Sequence, residues 1–116
     1  MSDFTQLKCE ACQAGAPPAT DDERAEFLGD HPDWEVIDVG GVPQLRRIFK
    51  FGNFVEALDF TNKVGALAEE EDHHPALLTE WGKSTVTWWT HKIKGLHMND
   101  LIAASKTDLL YAGSSE

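Results

Sequence analysis

Basic residues are scarce in this chain: 10 Lys and Arg stand against 20 Asp and Glu, a formal charge of −10. Holding a nucleic-acid backbone requires clustered cations to neutralise phosphate, so DNA and RNA are excluded as partners. Long apolar runs are missing as well, and no stretch approaches the ~20 residues that cross a bilayer. The opening residues, MSDFTQLKCE, have neither the basic nor the apolar region of a secretory signal, which makes the cytoplasm the expected location. Cysteine is limited to Cys9 and Cys12. One C-x-x-C is half a zinc site, and no second pair completes it. A thioredoxin-like use of the motif wants a strand before it, and nothing strand-like precedes Cys9. Internal repeats are absent too. What remains is a chain of 116 residues, 41% hydrophobic and 26% charged. That is one soluble globular domain, able to bury roughly 65% of the surface its unfolded chain exposes.

Residues 1–19 end in AGAPPAT, which has little to bury and predicts a loosely held arm. Thr20 with Glu23 three residues on is a capping box, and Asp21 and Asp22 suit the positive end of a helix dipole. The helix is expected over about 21–28, stopped by Gly29. Trp34–Val39 and Leu45–Phe51 flank Gly40-Gly41 as a β-hairpin, with Trp34, Val36 or Ile37, Ile48 and Phe49 competing for the inner face. Asn53 caps a long helix through about Glu71, on which Phe54, Ala57, Leu58, Thr61, Val64, Gly65 and Ala68 form the apolar stripe. Pro75 drives His74 out of helical geometry, so this helix ends near Asp72. A second hairpin follows, Leu77–Trp81 and Ser84–His91 across Gly82-Lys83. Val86 and Trp88 share one face of its second strand with Ser84 and Thr90, and His91 lies on the other. The last helix is expected over about 99–111, burying Leu101, Ala104, Leu109 and Leu110, with 112–116 as a tail. This order predicts an α+β domain at 20–111: a four-stranded antiparallel sheet with three helices packed on one face.

Three of the five histidines, His73, His74 and His91, fall within Glu69–His91. Each could be a structural group at the end of an element. A metal site is a second reading, but adjacent His73 and His74 diverge in direction, and no H-x-H, H-x-x-x-H or H-E-x-x-H spacing occurs among the three. The third is metal-free acid–base catalysis, one imidazole giving a proton and another taking one. The carboxylates of Glu69, Glu70, Glu71 and Asp72 just upstream favour a charged ring. Positioned proton transfer contributes about 10²–10⁴-fold, which suits a reaction with a low barrier, such as loss of water from a carbinolamine.

These residues resemble the signature of the pterin-4a-carbinolamine dehydratases: an acid, three spacers, His-His-Pro, five spacers, an aromatic, nine spacers, His, and a later Asp. Glu69, His73-His74-Pro75, Trp81, His91 and Asp100 stand at those steps. Trp34, the Phe49, Phe51, Phe54 and Ala57 pattern, and Gly95-Leu96 extend the likeness over about 20–111. The resemblance implies removal of water from 4a-hydroxytetrahydropterin to give quinonoid dihydropterin, recycling the cofactor of phenylalanine hydroxylase. It implies no metal or organic cofactor, and a homodimer or homotetramer built on the sheet edge or the long helix. By position, His73 and His91 are the implied acid–base pair, and His74 is the third implied catalytic residue, orienting the pterin and sharing the acid role. Asp72, Thr90 and Trp34 are expected around the substrate, with Glu69 and Asp100 orienting the histidines from behind. The sequence departs from the family at His97, where Ser or Thr usually caps the last helix, and at Trp89, which replaces a small residue. Some members of the family also bind and stabilise a transcription factor's dimer. Nothing in the sequence points to such a partner, and the outer face of the Asn53–Glu71 helix is the candidate surface for one.

Overall fold

In a computed structural model the described residues are 19–90 and 95–114; Cys9, Cys12 and His91 lie outside them. Seven elements follow in the order α1 (Asp21–Asp30), β1 (Glu35–Val39), β2 (Val42–Lys50), α2 (Phe54–Glu71), β3 (Ala76–Glu80), β4 (Lys83–Trp88) and α3 (Met98–Ser114). The strands form one antiparallel sheet of four, as expected, and their order in it is β1-β2-β4-β3. α2 and α3 pack on each other and both lie against the sheet, with α1 on α3.

Local chemistry sets the element ends. The Thr20 hydroxyl accepts from the Glu23 amide and the Glu23 carboxylate accepts from the Thr20 amide, a complete capping box. α1 runs through Gly29 rather than ending there. Pro32 is the real stop, because it bars His31 from helical geometry, and His31 sits at φ −130°. Gly40 and Gly41 both have positive φ, 60° and 84°, which a two-residue hairpin turn with the right twist demands. That turn starts β2 at Val42, three residues before its expected start. In the second hairpin Glu80 pairs with Lys83, so the turn is Trp81-Gly82, and β4 ends at Trp88. Asn53 caps α2 by accepting from the Glu56 amide.

The core lies between the sheet and the helices. From β2 and β4 the inner face receives Leu45, Phe49, Ser84, Val86 and Trp88, all buried. Burying each Val, Leu or Phe removes enough apolar surface to contribute about 1.5–3 kcal/mol. Ile48 is 45% exposed, so the competition for the inner face goes to Phe49, whose ring meets Trp34, Phe60 and Tyr111. The stripe of α2 is turned from the expected one. Ala57, Phe60, Val64 and Ala68 are buried, while Phe54 and Leu58 stand exposed, because the large Phe60 ring takes the place between Phe49 and Phe51. On α3 the buried run is Leu101, Ile102, Ala103 and Ala104; Leu109 is exposed, contrary to expectation, and the helix continues to Ser114. Ala19, at the end of the expected arm, is buried and its amide donates to the Leu96 carbonyl.

One polar group ties α1, the entry to β1, β2 and α3 together. The Asp108 carboxylate accepts from Trp34 Nε1 at 2.9 Å and Arg47 Nη1 at 2.8 Å, and meets His31 Nδ1 at 2.6 Å. The Arg47 guanidinium also lies over the Phe49 ring, 4.4 Å from its centroid.

Candidate active site

The site is built from the C-terminal end of α2, the end of β4 and the N-terminal end of α3. Asp72 takes the left-handed conformation, φ 51° and ψ 43°, and its amide donates to the Ala68 and Glu69 carbonyls. The His73 amide also donates to the Ala68 carbonyl. These bonds satisfy carbonyls that the helix end would otherwise leave bare. A salt bridge of 2.6 Å from Lys106 Nζ to Glu71 Oε1 fastens this end of α2 to α3.

The doublet then divides. His73 turns inward, its side chain 3% exposed, and its Nε2 lies 2.6 Å from Asp100 Oδ1. A carboxylate only accepts, so the shared hydrogen belongs to Nε2. His74 turns outward and pairs with Glu69 Oε2 at 2.5 Å, both side chains more than half exposed.

Asp100 is fully buried, and a desolvated carboxylate needs several donors. It has three. Beyond His73, Thr90 Oγ1 donates to Oδ2 at 2.7 Å and the His97 amide donates to the same oxygen at 2.8 Å. The last bond belongs to helix capping. His97 precedes α3, its Nδ1 accepts from the Asn99 amide at 3.1 Å, and Asp100 reaches back to the His97 amide. An imidazole therefore performs the capping that Ser or Thr usually performs, and the carboxylate three residues on completes a reciprocal box. Thr90 is fixed by backbone bonds with Gly95 in both directions. His91 is the next residue along the chain.

The expected site residues thus separate into groups. His73, Asp100 and Thr90 meet directly, and Glu69 meets His74. Asp72 forms the helix end that aims the doublet. Trp34 is 3% exposed with its indole N–H committed to Asp108, in the group that ties α1 to α3. Trp88 has a place that sequence reasoning assigned only to the core. Its ring lies parallel to that of His73, centroids 5.6 Å apart and planes 9° apart, and its Nε1 donates to Thr107 Oγ1. The alternation that put Trp88 on one face with Thr90 was the signal that could have found it.

This is a one-sheet α+β protein with a buried imidazole held on a carboxylate beside a strand end. The family model for pterin 4 alpha carbinolamine dehydratase matches residues 17–110. Curated relatives named as pterin-4-alpha-carbinolamine dehydratases include one from Nitrosococcus oceani, 61% identical over 110 residues, covering 95% of this chain and 97% of the relative. Another, from Marinobacter nauticus, is 59% identical over 111 residues, covering 96% of this chain and 100% of the relative. Among solved structures, a transcriptional coactivator/pterin dehydratase from Brucella melitensis superposes with a TM-score of 0.72 at 29% identity, over 82% of this chain and 99% of that one. A pterin dehydratase-like RuBisCO assembly factor of the alpha-carboxysome shares the fold, with a TM-score of 0.58 at 24% identity over 68% of this chain and 89% of that one. The chain belongs to the pterin 4 alpha carbinolamine dehydratase family and is a hydro-lyase.

Proposed function

We propose that the chain removes water from 4a-hydroxytetrahydropterin by histidine acid–base catalysis. The observation that carries this reading is the buried carboxylate of Asp100, which takes His73 on one oxygen and, on the other, the Thr90 hydroxyl one residue before His91. A carboxylate behind an imidazole fixes its orientation and compensates the charge it carries when doubly protonated. One ring of the His73/His91 pair gives a proton to the 4a-hydroxyl, which leaves as water. The other takes the proton from N5 as the C4a–N5 double bond of the quinonoid dihydropterin forms. The two rings then exchange their proton through solvent. His74, exposed and steadied by Glu69, is suited to orienting the pterin. Asp72 and Thr90 border the same region. The histidines carry both transfers, so no metal or organic cofactor is needed. The product feeds pterin recycling for a hydroxylase such as phenylalanine hydroxylase, and we place the enzyme in the cytoplasm as a homodimer or homotetramer.

In a coupled phenylalanine hydroxylase assay, the His73→Ala/His91→Ala double variant is expected to lose at least ~100-fold in carbinolamine dehydration, the lower bound of positioned proton transfer. Wild type keeps full activity after dialysis against a chelator, and His74→Ala mainly raises KM. Equal rates for wild type and the double variant would sink the assignment.

A second reading draws support from α2, which leaves Phe54, Val55 and Leu58 42%, 64% and 39% exposed on its outer side. Such a surface suits protein contact, and the Brucella structure is described as a coactivator as well as a dehydratase. A stable protein partner together with pterin binding and no turnover would favour that role over catalysis.

A further inference from the structure

We infer that Trp88 is a positioning residue for His73, with Thr107 fixing the indole in turn. The inference rests on the catalytic reading of His73. Asp100 fixes the position of the imidazole edge through Nε2, and the plane of the ring is matched by the face packed against it. The indole of Trp88 lies under it at 5.6 Å with only 9° between the planes, and a flat plate of that size sets the ring's plane. Trp88 is fully buried, so it acts through His73 and not on the substrate.

The plate is itself anchored. Trp88 Nε1 donates to Thr107 Oγ1 at 3.1 Å, while the Thr107 hydroxyl spends its one hydrogen on the Ala103 carbonyl at 2.7 Å. The donor directions therefore run without conflict from indole to hydroxyl to backbone. Asp100 and Thr107 are seven residues apart on α3, two helical turns, so both project from one face of the helix. A single rigid element holds the edge of the imidazole through Asp100 and the plate beneath it through Thr107. The indole also presents the negative face of its quadrupole to the ring above it. A leucine would fill much of the space but offers neither plane nor quadrupole.

The test compares Trp88→Leu with Trp88→Phe, reading kcat and KM per folded molecule and the ¹H shifts of the His73 ring by NMR. The stack predicts upfield-shifted ring protons in wild type and, to a smaller extent, in Trp88→Phe, and their loss in Trp88→Leu. It also predicts that kcat falls about tenfold in Trp88→Leu with KM within about twofold, and returns to within about threefold of wild type in Trp88→Phe, the scale of an aromatic pair contact. Thr107→Val keeps the side-chain shape and removes the hydroxyl, and with it the indole's acceptor and the bond to the Ala103 carbonyl; its kcat should fall about threefold. That variant decides the matter if Trp88→Leu does not fold. Wild-type kcat in Trp88→Leu or, where that variant does not fold, in Thr107→Val overturns the proposal. So do equal losses in the Leu and Phe variants, which would mean that volume alone matters. A failure of the catalytic reading looks different: His73→Ala would keep its turnover while the wild-type ring shifts still reported the stack.

Discussion

Asp100→Asn should reduce turnover by at least ~100-fold while leaving the fold in place, by the logic of a carboxylate that sets its histidine's tautomer. The Asp100 side chain meets donors on both oxygens: His73 Nε2 on one, Thr90 Oγ1 and the His97 amide on the other. An amide has one accepting and one donating end. Its NH₂ cannot face the His97 N–H, so it must face His73, whose Nε2 then has to accept. The imidazole hydrogen moves to the opposite nitrogen and the proton-transfer edge is reversed. Stability falls by roughly 1.5–3 kcal/mol, the cost of a lost bond to a charged group. Asp100→Ala also removes the cap of α3 and should cost about 3–5 kcal/mol, typical of stranding buried partners. Steady-state kinetics with urea unfolding separates the two effects. Wild-type turnover in a folded Asp100→Asn protein would remove this carboxylate from the chemistry.

Asp108→Ala should destabilise the fold as strongly as Asp100→Ala. It strips one acceptor from His31, Trp34 and Arg47, and the side chains of Arg47 and Asp108 are only 16% and 15% exposed. Asp33, 3.4 Å from Arg47, is itself 69% exposed and replaces little of the lost charge. Breaking a buried pair by removing one partner costs about 3–5 kcal/mol. At about 4–8 °C per kcal/mol for a domain near this size, the midpoint of thermal unfolding should fall by at least ~12 °C. A drop of only a few degrees would show that the group is solvated and contributes little.

The fold was legible wherever a few neighbouring residues settle the matter. Thr20 with Glu23, Gly40-Gly41, Asn53 and Pro75 each act within a turn of chain, and each element they bound is where the pattern put it, within a few residues. Choices of face were less legible. Ile48 against Phe49, and Phe60 against Phe54 on α2, depend on which ring another element offers, and the sequence carries no local record of that. Gly29 misled because glycine only weakens a helix, whereas Pro32 ends it. In the site, the His73–Asp100 contact spans 27 residues and was reached through resemblance to a family signature rather than through periodicity. The stack on Trp88 was half visible as a shared strand face. The Asp108 group was invisible: its partners lie 61 to 77 residues away and no motif marks them.

The left-handed turn at Asp72, at the end of α2, gives two identical neighbours opposite surroundings. An acylating reagent such as diethyl pyrocarbonate would therefore modify His74 rapidly and His73 only slowly. The doublet can thus be edited one ring at a time by chemistry alone, without altering a codon.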